Sequence, residues 1–123
     1  LARPAISMNL SHILDEVLIC FEPCRKVPHG YLVGYGVIPM LVMENRPMEE
    51  LFEYVDFAMS IGLPVTMGQL GIENATIDEL KKAAIHAKQA VTSKLVRVQF
   101  KDEDLYESML VADQIVNDYL KTK

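Results

Sequence analysis

The sequence of 123 residues has no tryptophan, only two cysteines, and no apolar run long enough to cross a membrane. A membrane-spanning helix needs about 20 consecutive apolar residues, and the longest runs here, such as residues 37–43, are far shorter. Two cysteines are too few for a disulfide scaffold, and no signal peptide opens the chain, so we expect a cytoplasmic protein that does not enter a membrane.

Basic residues are also scarce, with 12 Lys and Arg against 17 Asp and Glu and a net charge of −5. A protein that binds nucleic acid or an anionic membrane needs a basic face, so the charge argues against both functions. Half of the residues are hydrophobic, as in ordinary globular proteins. We therefore expect residues 1–123 to form a single domain with a core of its own.

Apolar residues recur at spacings of three and four, the period of an amphipathic helix. This period predicts a first helix over residues 10–21, ended by Pro23, and a second over residues 29–45. The second is apolar on nearly every side, so it should be buried at the centre of the domain. Its glycines suggest that another element packs close to its backbone.

The remaining helices are marked by their start and stop signals. Pro47 and the two glutamates after it predict the start of a third helix, which Gly62 ends. Spacings typical of a capping box predict a short helical piece at Thr66 and Gln69, and a longer helix from Thr76 and Glu79. Residues 94–100 suggest an extended connector, and a last helix begins at Asp102 or Asp104. The predicted fold is all-α, a compact bundle of about five or six helices.

Two of the three histidines flank the predicted central helix and are candidate metal ligands. His12 lies on the first helix, and His29 lies where the second begins. On neighbouring helices that face each other, they could supply two nitrogen ligands to Zn²⁺ or Fe²⁺. No third ligand is evident from spacing, so two hydrogen-bonded, partly buried histidines remain the simpler interpretation. His86 is expected on the surface.

The two cysteines allow a different zinc site. Cys20 and Cys24, together with His12 and His29, could form the Cys₂His₂ set of a small structural zinc protein. Such a site usually stabilises a domain that lacks a sufficient core. Because this chain has enough apolar residues for a core, the structural site is the weaker hypothesis.

Four segments in order resemble the glycerol dehydrogenases of the iron-containing alcohol dehydrogenase superfamily. The first is the run His29-Gly30-Tyr31-Leu32-Val33-Gly34-Tyr35-Gly36, and the second is the segment LVMENRPMEE that begins at Leu41. The third is Gly62-Leu63-Pro64-Val65-Thr66 followed by Gln69-Leu70-Gly71, and the fourth is Tyr106 with the segment LVADQ of residues 110–114. Together these segments are fairly specific.

The resemblance implies that the chain is the all-α, C-terminal domain of a two-domain dehydrogenase. Its N-terminal domain, absent from this chain, would bind NAD, and the whole enzyme would oxidise glycerol or a related polyol to dihydroxyacetone. The family holds its metal, Zn²⁺ or Fe²⁺, with one aspartate and two histidines. His29 matches the histidine of the family's His-Gly pair, and His12 lies seventeen residues upstream, at the family's offset. The aspartate would lie in the part of the enzyme that precedes this chain. Members of the family are often homo-oligomers.

Three departures from the family pattern leave the substrate open. Histidines are common just before the His-Gly pair, where this chain has residues 24–28, and three residues after His12, where it has Asp15. Residues 93–100 also lack a His-containing turn. A relative acting on another polyol is compatible with these changes, and so is a free-standing helical interaction module that has lost the chemistry. We expect the 123-residue piece alone to fold, to lack activity and to bind zinc weakly.

Overall fold

The computed structural model describes residues 14–92 and 101–123, and every regular element within them is helical. Helix α1 covers residues 14–18 of the described part, and a four-residue helix α2 follows it. The longer elements are α3, α4, α5 and α6. The bounds of the five helices after α1 are Glu22–Arg25, His29–Met43, Met48–Ser60, Ile77–Thr92 and Asp102–Lys121. The prediction of an all-α bundle is confirmed.

Helix α3 is the central helix, as its apolar composition predicted. It packs on α4 and α6, and six of its residues are buried. Gly34 lets the loop after α4 approach closely, because a Cβ atom there would lie 3.0 Å from Cδ1 of Leu63. The hydroxyl of Tyr54 on α4 donates a hydrogen bond of 2.6 Å to the carbonyl oxygen of Gly34. This contact ties the two helices together beside the glycine.

The start of the described chain differs from the predicted first helix. Helix α1 ends at residue 18 instead of 21, and a turn leads into α2. Pro23 does not simply end a helix, because it lies in the first turn of α2. Proline is tolerated there, since the first N–H groups of a helix need no partner within the helix. The predicted connector after Pro23 is therefore partly helical.

The segment between α4 and α5 is a series of turns, so the predicted short helical piece is wrong. Thr66 does accept a hydrogen bond from the N–H of Gln69, at 3.1 Å. The Gln69 side chain accepts one from the N–H of Val65 at 2.7 Å, one residue before the position a capping box requires. These bonds stabilise a tight turn, which does not continue as a helix.

The capping box before α5 is present as predicted. The Thr76 hydroxyl accepts from the N–H of Glu79 at 3.1 Å, and the Glu79 carboxylate accepts from the N–H of Thr76 at 2.9 Å. Helix α6 begins at Asp102, and the Asp104 carboxylate accepts from the N–H of Lys101 at 2.9 Å. The predicted connector over residues 94–100 lies outside the described residues.

Within the part of the chain that the structure describes, the core consists of two apolar clusters, and α3 contributes to both. The larger joins α1, α2, α3, α5 and the first half of α6, and the smaller joins α3, α4 and the second half of α6. The fully buried side chains include Leu14, Ile38, Val55, Leu80 and Met109. Within the described residues, every helix is too short or too polar to cross a lipid bilayer.

Candidate metal-binding site

His29 is the first residue of α3, and its imidazole faces solvent. The side chain is 67% exposed, and Nδ1 lies 3.3 Å from Oδ2 of Asp15. Pro28 precedes the helix, and a Cβ atom on Gly30 would meet nothing within 4 Å. The start of α3 therefore leaves room for a ligand to approach the histidine.

Asp15 reaches His29 from α1. The aspartate is 5% exposed, and its neighbours Leu14, Val17 and Leu18 are fully buried. A carboxylate in such surroundings is held in place by the packing of its helix. The site thus combines a buried carboxylate with an exposed imidazole, whose nitrogen is a ligand type that suits Zn²⁺ and Fe²⁺.

The structure brings His29 together with Asp15, while His12 lies outside the described residues. The pairing of His12 with His29 therefore stays a prediction. Within residues 14–92 and 101–123, no group of three or more side chains of the types His, Cys, Asp and Glu could hold a metal ion. The His29 imidazole fits a metal chemically, and ligands from other residues are needed to complete a set.

Sequence reasoning noted Asp15 only as a departure from the family pattern. Two signals could have identified it as part of the site. It lies three residues after His12, a spacing that places two side chains on the same face of a helix. It is also one of two charged residues in the segment Ile13–Val17, whose other three residues are apolar, and it is more buried than the other charged residue, Glu16.

Among the described residues, the contacts of the two cysteine thiols are with groups other than His29. The Sγ atom of Cys24 lies 3.9 Å from the carbonyl oxygen of Leu70, and that of Cys20 lies 3.6 Å from the carbonyl oxygen of Glu16. Both thiols are free. Burial raises the pKa of Cys24 to about 11, which disfavours the thiolate that binds zinc. These observations weigh against the structural zinc hypothesis.

A surface pocket of about 520 Å³ opens beside the start of α3. Its walls are the segment before α3 and the turn after α4, and its polar groups come from Lys26, Tyr31 and Gln69. Pro28 lines the pocket, and His29 does not. His86 is exposed on α5, as expected from the sequence.

Known proteins that resemble the chain are glycerol dehydrogenases and a related reductase. No protein-family model matches it. It is 29% identical over 112 residues to the glycerol dehydrogenase of Citrobacter freundii, an alignment that covers 89% of this chain and 30% of that enzyme. The glycerol dehydrogenase of Thermotoga maritima is 30% identical over 109 residues, covering 80% of this chain and 30% of the enzyme.

This chain is similar to part of the glycerol dehydrogenases. The resemblance seen in the sequence is thereby confirmed, and the chain spans only about 30% of the length of these relatives. A protein called glycolaldehyde reductase from Halobacterium salinarum is 33% identical over 84 residues, which are 66% of this chain and 23% of that protein. The similar proteins thus carry two different enzyme names, glycerol dehydrogenase and glycolaldehyde reductase.

Proposed function

We propose that residues 1–123 are the metal- and substrate-binding helical domain of a longer NAD-dependent oxidoreductase. The observation that carries this proposal is the similarity to glycerol dehydrogenases along 80–90% of the chain and only 30% of theirs. The domain would be C-terminal, and an N-terminal domain would bind NAD. The substrate would be glycerol, oxidised to dihydroxyacetone, or a related small polyol, and the assembled protein would be a cytoplasmic homo-oligomer.

In this proposal His12 and His29 are two protein ligands of a catalytic metal, Zn²⁺ or alternatively Fe²⁺. The third ligand would be a carboxylate from the part of the protein outside this chain. The exposure of the His29 imidazole at the open start of α3 supports this role. A metal with three protein ligands keeps a position for substrate.

The chemistry divides between the metal, the cofactor and this domain. Bound Zn²⁺ would act as a Lewis acid that makes a substrate hydroxyl more acidic. NAD⁺ bound by the N-terminal domain would accept a hydride from the carbinol carbon, and the hydroxyl proton would leave to solvent, so that electrons and protons balance. The helical domain would hold the metal in place and line one side of the cleft in which the substrate lies.

The size of the natural protein tests the proposed domain organisation first. An antibody raised against this domain should detect, in the source cell, a protein of about three times 13.9 kDa, since the chain spans 30% of its relatives. A single band at 13.9 kDa would overturn the proposal, because a lone helical domain has no site for NAD. That outcome would favour the free-standing interaction module.

Substitution of the histidines tests the metal site in the full-length protein. We expect His12→Gln and His29→Gln to abolish zinc retention and NAD-dependent glycerol oxidation, with the helical content unchanged. The matched control is His86→Gln, because His86 is exposed on α5 and should tolerate the change. Full metal content and activity in the His29→Gln protein would show that the assignment of the site is wrong.

A further inference from the structure

We infer that Asp15 is a positioning residue that orients His29 and presents its Nε2 atom to the metal. The inference rests on the proposed function, because it concerns how the metal ligand His29 is prepared. The sequence comparison with the family pointed to Asp15 only as an unusual residue at its position. The structure places its carboxylate 3.3 Å from Nδ1 of His29, although the two residues are fourteen positions apart in the chain.

The difference in burial between the two side chains indicates which one binds the metal. Asp15 is 5% exposed, whereas the side chain of His29 is 67% exposed. The carboxylate therefore lies beneath the imidazole, on its protein side. An incoming metal ion meets the exposed ring before the buried carboxylate.

Ring geometry separates a positioning role from direct ligation. The two nitrogens of an imidazole point away from each other, so a metal on Nε2 is on the far side of the ring from a group beside Nδ1. With its carboxylate beside Nδ1, Asp15 cannot bind the same ion as Nε2. It lies instead where the supporting carboxylate of a metal-binding histidine is commonly found.

The chemical effect of Asp15 is on the position of the imidazole proton. A neutral imidazole carries one proton, and only its unprotonated nitrogen can bind a metal. A carboxylate beside Nδ1 stabilises the form with the proton on Nδ1 and so leaves Nε2 available. Because Asp15 is held by the packing around Leu14 and Val17, it also restricts rotation of the ring.

The first experiment locates the imidazole proton of His29 in the wild-type chain. In the 123-residue chain labelled with ¹⁵N, long-range ¹H–¹⁵N spectra distinguish the two neutral forms of each histidine, and His29→Gln assigns the signals. In the metal-free wild-type chain, at a pH where the ring is neutral, we expect His29 to carry its proton on Nδ1. A proton on Nε2 would overturn the inference. In Asp15→Asn we expect the population to shift towards Nε2–H.

The second experiment measures zinc binding by titrating the full-length protein and its variants, which would include the proposed third ligand, with Zn²⁺ alone. Loss of a carboxylate that supports a metal-binding histidine typically weakens metal binding about 10- to 100-fold, and we expect this loss for Asp15→Asn. The matched control is Glu16→Gln, which removes the same charge from the adjacent, less buried position. Circular dichroism verifies that each variant keeps its helices.

The outcomes separate the inference from the function on which it rests. If His29→Gln weakens zinc binding while Asp15→Asn behaves like Glu16→Gln, the positioning role is wrong and the proposed metal site stands. If His29→Gln binds zinc as tightly as the wild type, the proposed site itself is wrong, and the positioning role falls with it. A loss in both Asp15→Asn and His29→Gln, with Glu16→Gln unaffected, supports both.

Discussion

The carboxylate of Asp113 on α6 accepts a hydrogen bond of 2.8 Å from the backbone N–H of Met67, a residue 46 positions earlier in the chain. Its second oxygen accepts from the side-chain amide of Asn117 at 3.2 Å. Met67 is buried and lies in the irregular segment between α4 and α5. One side chain of the last helix thus supports the segment that packs beside the start of α3.

Removal of that acceptor should destabilise the fold. In Asp113→Ala the N–H of Met67 loses its partner, and an unpaired buried donor costs about 1–3 kcal/mol. Asp113→Asn keeps an acceptor oxygen, so its loss of stability should be smaller. The matched control is Asp118→Ala on the same helix. Among the described residues its carboxylate accepts from the side chain of Gln114, one turn away, so we expect a loss of about 0.2–0.5 kcal/mol. Urea unfolding measures the free energy of unfolding of all three variants. Equal losses of stability in the two alanine variants would contradict the role assigned to Asp113.

Two glycines with the same backbone conformation should differ in their response to alanine. Gly62 and Gly71 both have φ of +82°, which costs an L-residue about 1–2 kcal/mol. A Cβ atom on Gly62 would meet nothing within 4 Å, but on Gly71 it would lie 3.0 Å from Cβ of Pro23. Because the proline ring is rigid, Gly71→Ala should lose about 1 kcal/mol more than Gly62→Ala in urea unfolding. Indistinguishable losses would mean that α2 moves aside freely.

A polar cluster joins the end of α6 to α4 and should respond to acid. Asp56 accepts hydrogen bonds from Nζ of Lys123 and the hydroxyl of Tyr119, both at 2.9 Å, and these bonds lower its pKa below the usual 3.8. Because the pKa of Asp56 is lower in the folded state than in the unfolded state, its contribution to stability is present when the pH lies above the unfolded-state pKa. The contribution disappears as the pH falls through the folded-state pKa.

The pH dependence of Asp56→Asn isolates this contribution. The wild type should melt at a higher temperature than the variant near neutral pH, and the difference should shrink below pH 3.8. Tyr119→Phe keeps the ring stacked on Phe52, at 4.1 Å between centroids, and removes only one donor, so its effect should be smaller. A difference that stays constant down to strongly acidic pH would contradict the assignment.

The two thiols should differ in reactivity. Cys24 is fully buried, and burial raises its pKa to about 11, so neither the thiolate nor access for a reagent is available in the folded state. Burial also raises the pKa of Cys20, but this thiol is only partly buried. In a timed reaction with a thiol reagent, Cys20→Ser should leave the folded chain almost unlabelled, and Cys24→Ser should be labelled more quickly. Rapid labelling of folded Cys20→Ser would show that α2 opens readily.

The helices α3, α4 and α5 were predictable because their signals lie within a few residues of each other. The apolar composition of residues 29–45 predicted a buried helix, which runs from His29 to Met43. The glutamates after Pro47 and the capping box of Thr76 and Glu79 marked the next two starts. Pro23 misled the prediction because proline both ends helices and begins them, and only the contacts of its neighbours decide between these roles.

The sequence by itself determined the helical period, the central place of α3 and the position of His29 at its start, since each depends on residues that are adjacent or one turn apart. Only the tertiary structure decided that Asp15 approaches His29 and that Asp113 supports Met67. Those pairs are fourteen and 46 residues apart. Their contacts depend on how the packed helices set the distances between side chains, and no local pattern encodes those distances.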